Sequence, residues 1–234
     1  RNLAWSADEI ELQPRPANFA DTEQHLTAMK ADIIIAAFGY NESFGGREEL
    51  SSFENRLANY LLNLGSKSYN GKSAPLLVVV SPIANENVDG VSAANLNNDN
   101  IMAYCKSMKK VADKQKVGFV NVFGETASEM LLKQNELTIN GAHLNALGYS
   151  KFAKFLFKGI FQKEAPSVDK DIRAAVIEKN RQHFYRYRPL NTFYYTGGRK
   201  GSYGYLDFLP AMRNFDLMTE NRDRQIHRLA QGKK

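Results

Sequence analysis

Residues 31–46 read ADIIIAAFGYNESFGG, and the first part of this stretch decides the fold class. The continuous apolar run from Ile33 to Phe38 is bounded by polar residues, which is typical of a strand buried on both faces of a parallel sheet. Such a sheet is covered by helices, so the run predicts an α/β protein. The GYNE turn at residues 39–42 would then lie at the carboxyl edge of the sheet, where open α/β folds bind ligands.

The rest of the chain repeats this alternation of strands and helices. Buried strands are predicted over residues 75–82 and 118–123, with a short strand at residues 2 and 3. The Asn-rich segment 84–100 is predicted to be a loop. This alternation predicts a parallel, doubly wound sheet. Apolar spacing of three and four residues predicts helices over residues 21–30, 50–65, 101–111, 126–134 and 148–161.

A second motif lies near the end of the alternating segment, where residues 137–149 read LTINGAHLNALGY and place His143 in a turn before a helix. The chain opens with NLAWSAD at residues 2–8. With the GYNE turn, these motifs follow the order of three sequence blocks of the SGNH (GDSL) hydrolase superfamily, which the chain resembles over roughly residues 1–162. In that family the second block is commonly Asn-x-Gly-x-Ser-Gly-Asp, the third is Gly-x-Asn-Asp and the fifth is Asp-x-x-His.

The resemblance implies a three-layer, flavodoxin-like parallel sheet flanked by helices, and it implies acyl transfer by a serine nucleophile. His143 would be the general base, and Asn140 takes the place of the acid that orients its ring. The side chain of Asn41 and the backbone N–H of Ala7 would donate to the oxyanion. The residues expected to contact the substrate are Gly39, Tyr40 and Glu42, together with Tyr194 and Arg199 from the tail.

The chain departs from the family pattern most of all at the nucleophile. The first block, a strand that ends in Gly-Asp-Ser, should precede the second block, and no Asp-Ser dipeptide occurs in the 234 residues. We therefore expect an N-terminally truncated domain whose nucleophile strand is missing and which is inactive as given. Ser6 and Ser43 are alternative nucleophiles close to the matched blocks, although turn serines usually bond to the backbone.

Three substitutions within the matched blocks affect the expected chemistry. Asn140 replaces the family's Asp and carries no charge to stabilise the imidazolium. Ala7 replaces a Gly, which preserves the backbone donor provided that the turn does not require a positive φ. Glu42 replaces the Asp of the third block.

Composition and charge indicate a folded domain followed by a basic extension. The 234 residues are 43% hydrophobic with a formal net charge of +6, and the basic excess lies in the last third of the chain, which is also rich in aromatics. We predict a boundary near Ala165, between an SGNH hydrolase-like domain at 1–165 and a C-terminal extension at 166–234 that is mainly helical and packs on the core. No apolar run approaches the length of a membrane span.

The sequence leaves several roles open for the extension. Its aromatic residues can pack on the core, or with its arginines they can border the cleft and bind a saccharide or an acidic ligand. Single-stranded nucleic acid is disfavoured as a partner, because no recognised nucleic-acid module is present. The extension resembles the segment after SGNH-like domains in large secreted bacterial proteins with haem domains, which implies an extracytoplasmic, multidomain protein. No Cys-x-x-Cys-His haem motif occurs here.

Two classes of function remain open on these observations. The first is an ester hydrolase that acts on an acetylated saccharide or another small acyl ester. The second is a non-catalytic SGNH-like module that binds a glycan or a partner protein. Four scattered histidines and the single cysteine, Cys105, give no metal-ligand cluster, so neither a metal nor an organic cofactor is expected.

Overall fold

The structure is a computed structural model that describes residues 1–15, 19–188 and 209–232. The chain divides into two compact units. The sheet unit comprises Ala7–Gln13 and Glu23–Ala165. The helical unit comprises Arg1–Ser6, Pro14–Thr22 and Pro166–Lys234. The opening residues of the chain are therefore shared between the two units.

Strands and helices alternate along the sheet unit, and two long helices follow. The strands are β1 (Ile33–Ala37), β2 (Leu76–Val80), β3 (Asn87–Val88), β4 (Val91–Ser92) and β5 (Gly118–Val120). The helices are α1 (Thr22–Ala28), α2 (Leu50–Gly65), α3 (Ala93–Gln115), α4 (Val122–Leu131), α5 (Ala146–Phe161), α6 (Lys170–Tyr187) and α7 (Leu209–Ala230). A 3-10 helix covers Glu42–Gly45, shortly after β1.

Three of the strands form a parallel sheet in the order β1-β2-β5. The register pairs Ile33 with Leu76 and Val78 with Gly118. α2 connects β1 to β2, and α3 connects β2 to β5, so the α/β alternation predicted from the sequence is confirmed. Because the strands are parallel, their carboxyl ends lie at one edge of the sheet.

Helices pack against both faces of this sheet. α2 and α3 bury their apolar stripes against one face, as the spacing of three and four residues requires. The fully buried residues of this cluster include Phe53, Leu57, Val79, Tyr104 and Met108. On the opposite face, side chains of α5 pack against Val80 and Val120. The fold is therefore a mixed α/β arrangement with helices on either side of a short parallel sheet.

One expectation from the sequence is wrong, because β1 is not buried on both faces. Ile34 and Ala36 are buried, whereas Ile33 is 59% and Ile35 is 49% exposed. Leu76, which pairs with Ile33, is 70% exposed. The side chains of α5 pack against β2 and β5, and among the described residues β1 pairs only with β2. β1 is therefore an edge strand with one uncovered apolar face.

Three shorter assignments also differ from the sequence-based prediction. Residues 2 and 3 do not form a strand. Segment 84–100, predicted as a loop, contains the hairpin β3-β4 and the start of α3. The start of α3 was not predicted because the segment is rich in Asn, which has a low helix propensity. The strand predicted over 118–123 is shorter, since Asn121 caps α4 by accepting the N–H of Gly124 at 3.1 Å.

The helical unit is built on the pair of α6 and α7. Arg186 of α6 donates through Nε to a carboxylate oxygen of Asp216 of α7 at 3.0 Å. Trp5 lies in an aromatic cluster with Phe19 and Tyr187, at ring-centroid distances of 5.5 and 6.0 Å. Within the three described ranges, no helix is both long enough and apolar enough to cross a membrane.

Candidate active site

The second and third sequence blocks meet at the carboxyl end of β1. The Nδ2 amide of Asn41 donates to the main-chain oxygen of Asp8 at 3.3 Å. The carboxylate of Glu42 accepts the N–H of Gly39 at 2.8 Å and the N–H of Ile10 at 3.1 Å. These bonds hold the segment of the second block against the GYNE turn.

The carboxylate of Glu42 is buried and bonds to main-chain N–H groups. The residue is only 6% exposed, and burial raises the pKa of its carboxyl while the backbone donors oppose that rise. Its two oxygens each accept a main-chain N–H from a different loop. Glu42, which the resemblance assigns to substrate contact, is therefore placed to hold the two loops together.

Ala7 lies in the left-handed region of backbone space, with a φ of 64°. The turn of the second block therefore does require a positive φ, the conformation for which the family's Gly is suited. An alanine in this region costs about 1 to 2 kcal/mol relative to right-handed backbone. Ala7 keeps the backbone N–H that the resemblance assigns to the oxyanion hole.

The turn after β1 also bonds to the loop after β2. The hydroxyl of Tyr40 donates to Oδ1 of Asn85 at 2.9 Å, and burial raises the pKa of this phenol. Gly39 has a φ of 99°, and a Cβ there would lie 2.9 Å from Sδ of Met108. The strand end therefore needs glycine at this position.

His143 is exposed in the turn before α5, and Asn140 orients its ring. The ring Nδ1 lies 3.1 Å from Oδ1 of Asn140. The same oxygen accepts the backbone N–H of His143 at 3.0 Å and that of Ala142 at 3.3 Å. Backbone N–H groups only donate, so the atom that faces the ring is the amide oxygen. Neutral His143 therefore carries its proton on Nδ1, which leaves Nε2 as the atom that accepts a proton.

Backbone bonds close the His143 turn and join it to α5. The N–H of Ile139 donates to the oxygen of His143, and the N–H of Asn145 donates to the oxygen of Leu137, both at 2.8 Å. The side chain of Asn145 then caps α5 by accepting the N–H of Gly148 at 2.9 Å. The turn is thus fixed to the start of the helix that packs on β2 and β5.

Both candidate turns bond to consecutive residues of the loop after β2. Asn85 accepts the hydroxyl of Tyr40, and the N–H of Glu86 donates to the oxygen of Gly141 at 2.8 Å. The GYNE turn and the His143 turn are therefore both attached to the carboxyl edge of the sheet. Sequence reasoning missed Asn85 and Glu86, because the Asn-rich loop holds no motif and its only signal is its position after a buried strand.

The alternative nucleophiles have other roles or positions in the structure. Ser43 is fully buried, and its hydroxyl donates to the oxygen of Tyr40 at 2.6 Å and accepts the Nδ2 amide of Asn97 at 2.7 Å. A hydroxyl with both partners in place is a structural group. Ser6 belongs to the helical unit.

Two of the expected substrate contacts, Tyr194 and Arg199, lie outside the described residues. A cavity of about 530 Å³ adjoins the loop after β2, and its lining includes Glu86, Met102 and Phe123. Across the described ranges, no cluster of three or more His, Cys, Asp or Glu side chains could hold a metal ion.

No protein-family profile matches the chain, and no curated protein sequence matches it. Among solved structures, it is similar to an acetylxylan esterase from Geobacillus stearothermophilus, with a TM-score of 0.44 and 15% sequence identity over 63% of this chain and 71% of that chain. It is also similar to a peptidoglycan O-acetylesterase, with a TM-score of 0.48 and 16% identity over 61% of this chain and 41% of that chain. Since both TM-scores are below 0.5, the function has to be inferred from the residues of this chain.

Proposed function

We propose that the chain works as part of a serine ester hydrolase of the SGNH type, to which it supplies the general base and two oxyanion donors. The observation that carries the proposal is the contact between Asn140 and His143, which assigns the proton of the neutral ring to Nδ1. A histidine that activates a serine needs this tautomer, because Nε2 must accept the proton. In this proposal Asn140 takes the place of the family's acid and lacks its charge.

In the proposed reaction, the hydroxyl of a serine attacks the ester carbonyl while its proton passes to Nε2 of His143. The oxyanion of the tetrahedral intermediate accepts the backbone N–H of Ala7 and an N–H of Asn41. The Asn41 amide has two N–H donors, of which one bonds to Asp8. The imidazolium then protonates the leaving alcohol, and a water molecule repeats the sequence on the acyl-serine to release the acid.

In this proposal, the nucleophilic serine lies on a segment outside the 234 residues that pairs with the free edge of β1. Among the described residues that edge has no strand partner. The side chains of Ile33 and Ile35 are exposed on one face of the same strand. The exposed backbone edge of an apolar strand is a template for pairing with another strand. A parallel strand there would end beside Gly39, so the residue after it would reach the edge to which the His143 turn is attached.

The substrate in this proposal is a small acyl ester, such as an acetylated saccharide. The cavity of about 530 Å³ is lined by polar residues such as Asp99 and Asn135 and by apolar residues such as Met102 and Phe123. Sugars present hydroxyl groups at their edges and apolar faces on their rings. A lining of this mixed kind therefore suits the saccharide part of an ester.

An esterase assay of the full-length gene product on a small acetyl ester tests the proposal. The variant His143→Ala should abolish the activity, and Asn41→Ala should lower kcat by about a hundredfold to a thousandfold. Asn63→Ala removes an exposed amide of α2 that bonds to Glu23, and it should leave the activity unchanged. If the full-length protein is inactive, or is active without His143, the proposal is wrong and the fold serves to bind a glycan or a partner protein.

A further inference from the structure

We infer that Glu86 is a positioning residue, which holds the His143 turn so that the imidazole meets the substrate in one orientation. The inference rests on the proposed function, since it concerns the same base. Glu86 is only 6% exposed, and it lies 51 residues from its bonding partner Leu137 in the sequence. Hydrogen bonds of its carboxylate and of its backbone fix both sides of the turn.

The carboxylate of Glu86 receives three donors from the first side of the turn. It accepts the N–H of Leu137 at 2.9 Å, the N–H of Thr138 at 2.8 Å and the hydroxyl of Thr138 at 2.7 Å. Hydrogen bonds to an ionised carboxylate are shorter and stronger than those between neutral groups. They fix the chain two residues before Asn140.

Glu86 bonds to the second side of the turn through its own backbone. Its N–H donates to the oxygen of Gly141 at 2.8 Å, and the N–H of Gly141 donates to Oγ1 of Thr138 at 3.0 Å. The hydroxyl of Thr138 therefore joins the carboxylate to the N–H of Gly141. The resulting ring of bonds fixes both ends of segment 138–141, which carries Asn140.

The loop after β2 and the His143 turn also approach each other closely. Gly141 has a φ of 85°, and a Cβ there would lie 2.7 Å from both the main-chain oxygen of Glu86 and the Cβ of Ala93. The backbone around Asn140 therefore has little room to shift while Glu86 stays in place. Precision matters here, because misplacing a catalytic group by about 1 Å can lower a rate by about a hundredfold.

The tautomer of His143 tests the inference without any assay of activity. In ¹⁵N NMR spectra of the full chain, with His143→Ala to assign the signals, the neutral ring should carry its proton on Nδ1. Glu86→Ala should release the turn and give a mixture of Nδ1–H and Nε2–H rings. A residue that only stabilises the fold would lower the melting temperature and leave the tautomer unchanged.

Matched variants guard against a trivial loss of structure. Glu54→Ala removes a carboxylate that accepts the hydroxyl of Ser107 at 2.8 Å between α2 and α3, and it should leave the tautomer unchanged. If Glu86→Ala does not fold, Thr138→Val removes the two bonds that the hydroxyl contributes to the ring and should mix the tautomers, while Thr138→Ser should restore the Nδ1–H form. A pure Nδ1–H ring in folded Glu86→Ala or Thr138→Val would overturn the inference.

Kinetics of the same variants separate this inference from the proposed function. If both hold, Glu86→Ala in the full-length protein should lower kcat by about tenfold to a hundredfold with little change in KM. Suppose that His143→Ala abolishes the activity but Glu86→Ala leaves the tautomer of His143 unchanged. The positioning role of Glu86 would then be wrong, while the proposed function would stand. Suppose instead that Glu86→Ala changes the tautomer but His143→Ala leaves the activity intact. The proposed function would then be wrong, while the positioning role of Glu86 would stand.

Discussion

The ring Nδ1 of His143 lies 3.1 Å from Oδ1 of Asn140, in a turn where the backbone N–H groups of His143 and Ala142 donate to the same oxygen. In a serine protease, exchange of the triad Asp for Asn costs about ten-thousandfold in kcat because the imidazole takes the wrong tautomer. The two backbone donors prevent this error here, since they fix which end of the amide faces the ring. An amide can therefore orient the ring of His143.

If the proposed esterase function holds, the variant Asn140→Asp should raise kcat of the full-length protein by less than about tenfold. A carboxylate keeps the acceptor bonds and adds a charge beside the imidazolium, but an ion pair at an exposed position is worth about 1 kcal/mol or less. Asn140→Ala removes the acceptor and should lower kcat. Steady-state kinetics on a small acetyl ester measure both effects. A gain of thousands-fold in Asn140→Asp would mean that the native amide holds the wrong tautomer.

The variant Ala7→Gly should raise the free energy of unfolding by up to about 1 kcal/mol. Glycine adopts a φ of 64° without the clash of a Cβ, although it loses more backbone entropy on folding. Urea denaturation measures the change. Ala103→Gly within α3 is the matched control and should lower stability by about 1 kcal/mol. Equal losses in the two variants would contradict a left-handed turn at Ala7.

The variant Gly141→Ala should destabilise the sheet unit more than Gly71→Ala does. Both glycines have positive φ, 85° and 74°, so the backbone strain on substitution is about the same. A Cβ at Gly141 would also lie 2.7 Å from the main-chain oxygen of Glu86, whereas a Cβ at Gly71 would have no heavy atom within 4 Å. We expect the two free energies of unfolding to differ by about 1 to 3 kcal/mol. Equal values would show that the His143 turn is not closely packed.

The stability of the helical unit should fall as the pH is lowered from about 6.5 to about 4. Burial lowers the pKa of His183 from 6.5 to about 4, and the cations of Arg1 and Lys179 act in the same direction. Between these values the unfolded chain binds a proton that the folded unit does not, so protonation favours unfolding. At about 1.4 kcal/mol per pKa unit, the loss reaches about 3 kcal/mol.

The fluorescence of Trp5, the single tryptophan, reports this unfolding because its ring lies 6.0 Å from that of Tyr187. Nε2 of His183 is buried without a hydrogen-bond partner among the described residues, and the ring bonds to the backbone of Asn2, so His183→Leu should remove the pH dependence with the loss of that one bond. His227→Gln, at an exposed position of α7, should retain it. A pH dependence that survives in His183→Leu would assign the effect to another group.

Much of the fold can be predicted from the sequence, because periodic burial leaves a periodic pattern. The bounds predicted for α2 match those observed, since Phe53, Leu57, Leu61 and Leu64 recur at helical spacing and are all buried. The exposed faces of Ile33 and Ile35 could not be predicted in the same way. An apolar run indicates that a strand can be buried, but the neighbouring elements decide whether it is.

The candidate site was predictable only in part. Asn41 and His143 lie in motifs with recognisable spacing, so sequence alone points to them. Glu86 has no such signal, because its bonds reach Leu137 and Thr138 more than 50 residues away and a lone Glu in a loop has no periodicity. The positive φ of the second-block turn was also hidden, since an alanine there gives no sign of left-handed backbone.

Labelling of the full-length gene product with a fluorophosphonate tests the central claim most directly, because this reagent reacts with a serine that a base has activated. Mass spectrometry of the digested protein then identifies the labelled residue. We predict one labelled serine on a segment outside the 234 residues, with labelling lost in His143→Ala and unchanged in His227→Gln. No labelling at all, or labelling that persists in His143→Ala, would contradict the assignment of this chain to a serine ester hydrolase.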